Sequence, residues 1–84
     1  MSSDEWSLYR LRVVADADPG ALARVLERFQ NLNICPRKVL AELSTTELFH
    51  VEVIIGGVSS ETIAIIAGKL GEVPCIRSAQ FHPF

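Results

Sequence analysis

From Leu8 to Ala15 apolar and polar side chains alternate, with Tyr9, Leu11 and Val13 on one side and Arg10 and Arg12 on the other. That period of two is the pattern of a strand with one face buried. Asp16-Ala17-Asp18-Pro19-Gly20 follows as a loop, and Asp18 and Pro19 have the chemistry of a helix N-cap and a first-turn proline. The period then changes. Leu22, Val25, Leu26, Phe29 and Leu32 recur at helical spacing and leave Arg24, Glu27, Arg28 and Asn31 for water. Asn31-Leu32-Asn33 ends this helix.

A second extended segment runs from about Ile34 to Leu43. Pro36 near its start lacks the N–H that a central strand donates, which predicts an edge strand. Ser44 to Glu47 is a polar turn. Leu48 to Ile55 alternates again, with Phe49, Val51, Val53 and Ile55 opposite His50 and Glu52. Gly56-Gly57 breaks that strand, and Ser59 or Ser60 caps a second helix whose buried stripe is Ile63, Ile66, Ala67 and Leu70, with Gly71 at its end. In the last strand, about Cys75 to Phe81, the inward side stays open because Ile76 and Phe81 both claim the core.

With right-handed crossovers the order βαββαβ gives an α+β, ferredoxin-like sandwich: a four-stranded antiparallel sheet with two helices on one face. The first and third strands are central, and the second and fourth are edges. The expected core comprises Leu22, Val25, Phe29, Val51, Val53, Ile63 and Ile66. Val39, Leu40, Ala41 and Leu43 leave the second strand poorly guarded, so it is expected to pair with its copy in a homodimer that brings the first helices together, and Leu40→Pro is expected to split that dimer.

The chain has 84 residues, enough for a polar N-terminal segment (1–7) and one domain (8–82), but not for two cores. With 49% hydrophobic and 21% charged residues it can bury enough apolar surface to fold. A net charge of −2 argues against nucleic-acid and anionic-membrane partners. Met1 to Glu5 lacks a signal-peptide pattern and no apolar run approaches a membrane span, so a cytoplasmic location is expected. Cys35 and Cys75 are read as free thiols. With His50 and His82 they lack the close pairing of zinc ligands, so no metal or other cofactor is expected. Arg10, Arg12, His50 and Glu52 read as a solvated sheet face, and no nucleophile lies beside a base, so no enzyme is expected.

Several ferredoxin-like families fail on local chemistry. The first loop has no Cys-x-x-Cys for a metal carrier, and Asp16 and Asp18 would repel a phosphate. The central strands show no stacking aromatics on the open face for RNA. Ala17-Asp18-Pro19-Gly20-Ala21-Leu22-Ala23-Arg24-Val25-Leu26, with Phe29 and Asn33-Ile34, instead resembles the strand–loop–helix signature of ACT domains, in particular the small regulatory subunits of acetolactate synthase. The resemblance spans about Leu8 to Phe81. It implies a non-catalytic regulatory domain that homodimerises, binds a small amino acid and acts on a larger biosynthetic enzyme. The implied ligand contacts are Asp18, Gly20, Ala21 and Leu22 of one subunit, with Asn33 and Ile34 of the other; Gly20 would admit a carboxylate to the helix N-terminus. Ala17 stands where ligand-responsive members carry Asp or Asn. A ligand-free assembly module is therefore the rival reading, in which Asp18-Pro19-Gly20 is only a cap and turn.

Overall fold

A computed structural model describes residues 8–84; the polar segment 1–7 lies outside the described residues. The elements are β1 (Leu8–Asp16), α1 (Ala21–Asn31), β2 (Lys38–Leu43), β3 (Leu48–Gly56), α2 (Ser60–Gly71) and β4 (Ile76–Pro83). They form one antiparallel sheet in the order β2-β3-β1-β4. The predicted architecture is thus the observed one, with β1 and β3 central and β2 and β4 at the edges.

The alternation read from the sequence sets the register. Leu11 stands opposite Val53 and Val13 opposite Val51 across β1 and β3, so the apolar sides of the two strands coincide. Tyr9, Leu11, Val13 and Ala15 join Val51, Val53 and Ile55 beneath Val25, Phe29, Ile63, Ile66 and Leu70 of the helices, all buried. Six of the seven expected core residues are buried. Leu22 is only half-buried, because the innermost line of α1 is Ala21, Val25 and Phe29, one position earlier. On the open face Glu52 lies 3.5 Å from Arg10 Nε and 3.8 Å from Arg12 Nε, a cross-strand charge cluster too exposed to add more than about 1 kcal/mol.

β4 resolves the competing claims of Ile76 and Phe81. The β1–β4 register shifts between Val14 and Ala15, so that Val14 opposes Ser78 while Ala15 opposes Ile76. The extra residue, Arg77, is a bulge that flips the strand's faces. Ile76 is buried on one side of it and Phe81 packs on the core on the other, edge-to-face with Tyr9 at 6.3 Å.

β2 is shorter than expected and starts at Lys38. The segment before it follows the end of α1, then runs past Pro36 to Arg37, whose N–H donates to Ile54 O at 2.8 Å. At the other end Ser44 N–H donates to Leu48 O. Antiparallel bonding alternates back from Ser44, out of step with the extra bond at Arg37, so Leu40 and Glu42 also turn their N–H groups toward β3, and Val39, Ala41 and Leu43 turn theirs outward. The β2–β3 turn carries Glu47 at φ 62, a left-handed conformation that a side chain with a Cβ resists. Glu47→Gly is expected to raise stability by about 0.5–1 kcal/mol, net of glycine's entropy in the unfolded chain. Thermal melting checks this, and a lowered Tm would refute it.

The capping serine of α2 is Ser59, whose Oγ accepts the Thr62 N–H at 3.2 Å.

Candidate ligand site

The loop between β1 and α1 is held from within. Asp18 N–H donates to Asp16 O at 2.7 Å, and Asp18 O accepts Ala21 N–H at 2.9 Å. Asp18 is not the N-cap, as the sequence suggested; Gly20 is, and α1 begins at Ala21. The aspartate carboxylate still reaches the helix start, where its Oδ1 accepts Gly20 N–H at 2.8 Å. This local side-chain turn competes with the simpler cap and pushes the first helical residue along the chain. Asp16, at the end of β1, holds Arg77 of the bulge through Oδ1.

Gly20 has φ −86 and ψ −5, a conformation open to any residue. A Cβ there would stand 3.4 Å from Asp18 Oδ1, an ordinary contact. The fold therefore leaves room for a Cβ at this position. Ala21 points into the core with no exposure and Leu22 is half-buried beside it. The first-turn N–H groups of Leu22 and Ala23 have no acceptor within the helix, which leaves them and the positive end of the helix dipole for an anion.

Asn33 ends α1 from a left-handed conformation at φ 56. Its N–H donates to Gln30 O at 3.0 Å, and the Ile34 N–H reaches back to Phe29 O at 2.8 Å. This paired closure of the last turn is the common one for a helix ended by Asn or Gly. The side chain of Asn33 is exposed, and Ile34 is half-buried against the core. Helix α1 has 11 residues and is about 16 Å long. Asp18 to Leu22 lie at one end of it and Asn33 and Ile34 at the other. Within one chain they do not form one site.

Between these ends, beside α1, runs a groove of about 550 Å³ lined by Leu26, Phe29, Gln30, Ile34, Pro36 and Val39. It reaches β2 at Val39, which is 38% exposed; Leu43 is 63% exposed further along the strand, and Leu40, 50% exposed, faces the other side of the sheet. This groove has no motif of its own in the sequence. Its signal was the width of the apolar stripe, since Leu22 and Leu26 flank the buried line rather than complete it. Cys35 is exposed on the groove's rim, and Cys75, just before β4, is buried with Arg24 Nη1 3.8 Å from its Sγ. Both cysteines thus adjoin the edge strands rather than lie within them. Among the described residues no three His, Cys, Asp or Glu side chains converge as metal ligands, and no helix is long and apolar enough to cross a membrane.

A helix-start loop, an apolar groove and the free edge of β2 thus lie on one side of a ferredoxin-like sandwich. The chain belongs to the ACT-like domain family, whose model matches residues 2–83; ACT domains are regulatory rather than catalytic modules. No curated protein matches the sequence. The C-terminal domain of the MgtC protein from Mycobacterium tuberculosis is similar in structure, with TM-score 0.76 and 12% identity over 100% of this chain and 94% of that one. The ACT domain from GTP pyrophosphokinase of Chlorobium tepidum gives TM-score 0.75 and 13% identity over 89% and 96%. The regulatory subunit of aspartate kinase from Thermus flavus gives 0.70 and 12% over 93% and 52%. At such identities the likeness carries the fold alone.

Proposed function

We propose that this ACT-like domain works as a homodimer joined through β2 and α1, and that it binds a small amino acid between subunits. Asp18, Gly20, Ala21 and Leu22 of one subunit would meet Asn33 and Ile34 of the other. The observation that carries this reading is the placement of the two residue sets at opposite ends of one helix, beside an apolar groove. A two-fold axis that sets α1 antiparallel to its copy brings the start of each helix to the end of the other. The ligand carboxylate would take the N–H groups of Leu22 and Ala23. The regulated enzyme belongs to amino-acid biosynthesis, and resemblance to the small subunits of acetolactate synthase makes the branched-chain amino acids the first to test.

A panel of amino acids in thermal melting tests the site. A ligand at about a hundredfold excess over its Kd adds about 2.7 kcal/mol, enough to move Tm by several degrees. Gly20→Val is expected to abolish that shift and to leave the melting of the free protein nearly unchanged. If no amino acid at millimolar concentration moves the wild-type Tm, the binding reading fails.

A ligand-free assembly domain is the second reading, favoured by a specific feature of the loop. Asp18 already occupies the Gly20 N–H, Asp16 is engaged by Arg77, and Ala17 offers nothing to an ammonium group. The same panel separates the two readings.

A further inference from the structure

From the outward side of α2, we infer a second self-association surface, distinct from the β2 edge, through which two copies pair with their α2 helices antiparallel. This inference does not rest on the ligand-binding or β2-dimer reading.

Two large apolar side chains on the helical layer face solvent: Ile65 of α2, 56% exposed, and Leu32 at the end of α1, 48% exposed. They flank a shallow cleft of about 130 Å³ between the helices, with Arg28 and Lys69 at its border. Two such side chains make only a small apolar patch, so the charges around them decide what can cover it.

Charge selects the occupant. Glu61, Ile65 and Lys69 follow one another at intervals of four along one side of α2. Glu61 and Lys69 are exposed, and neither has an ion-pair partner among the described residues. They stand about 12 Å apart along the axis, too far to pair within one helix. They are also equidistant from Ile65. A two-fold axis at Ile65 that sets α2 against its antiparallel copy places Glu61 opposite the partner's Lys69, Lys69 opposite the partner's Glu61, and the two isoleucines against each other. The surface is thus its own complement in this arrangement. A parallel pairing would oppose like charges. Gly68, exposed in the same helix, has no atom within 4 Å of an added Cβ, so nothing inside the monomer obstructs the approach of a neighbouring helix there.

The test is solution mass by light scattering at about 0.5 mM chain, a concentration at which a contact below standard interface size associates. Ile65→Glu puts two carboxylates against each other across the axis and is expected to halve the mass, with association weakened about tenfold or more. It should halve it again in an Ala41→Pro background, where an outward N–H of β2 is lost, so the result does not depend on pairing through β2. Glu61→Lys should weaken association about fivefold, and adding Lys69→Glu to it should restore association. Circular dichroism checks that each variant keeps its fold. The proposal is overturned if Ile65→Glu leaves the mass unchanged, or if the double charge reversal does not recover what the single one loses. Failure of the β2 dimer has its own signature: Ala41→Pro then changes nothing, while Ile65→Glu still halves the mass.

Discussion

Phe29→Ala is expected to cost about 3–5 kcal/mol, a large part of the 5–15 kcal/mol that a folded domain commonly holds. Phe29 is 1% exposed and stands at the end of the Ala21–Val25–Phe29 line, the part of α1 pressed most deeply on the sheet. Its carbonyl also accepts the N–H groups of Leu32 and Ile34 where the helix closes. Truncating the ring removes its transfer free energy and opens a void beneath α1, and a domain of this size has few other large side chains to fill it. Leu22→Ala makes the comparison sharp. Leu22 is half-buried, so its loss should be well under half as great. Denaturant unfolding of both variants measures the difference. If Phe29→Ala melts within a degree or two of wild type, the assignment of the α1 face is wrong.

Ala41→Pro is expected to halve the solution mass of the protein while its cooperative melting persists. The N–H of Ala41 points away from β3, so proline there breaks no bond of the β2–β3 ladder. It does remove a donor from the outer edge and puts a ring carbon where a second β2 would lie. The bonding alternation explains why Leu40, the position that the sequence suggested, is the wrong choice. Its N–H serves β3, so Leu40→Pro would weaken the monomer's own sheet and confound dissociation with unfolding. Light scattering beside a thermal melt separates the two effects. A folded Ala41→Pro protein with the wild-type mass would remove β2 from the dimer, and the intersubunit ligand site with it.

The element order, the two central strands and the whole buried stripe of α2 were legible in the sequence because each rests on a local period. What escaped were features set by competition or by a partner strand. Asp18 reads as an N-cap, and its carboxylate does bind near the helix start, but its own backbone turn moves that start to Ala21. The face of β4 was undecidable because a bulge is a relation between two strands, and Arg77 looks like any strand residue until Val14 and Ala15 are placed beside it. Periodicity counts Leu22 with the core because it locates a stripe but not its midline. For the candidate site, the loop was visible as a motif. That its two halves lie at opposite ends of one helix follows only from the length of α1 and the fold around it.

The strand order also bears on how the molecule reaches its native state. β1 lies between β3 and β4, partners separated from it by about half of the chain and by nearly all of it. The hairpin of β2 and β3 closes through a short turn, and both helices can form on local contacts. The strand at the centre of the sheet must instead wait for the two most distant closures. Such non-local pairing slows folding. Until β4 arrives, one side of β1 is an open edge carrying Tyr9, Leu11 and Val13. The segment most protected in the finished protein is thus the one most exposed to wrong partners on the way to it.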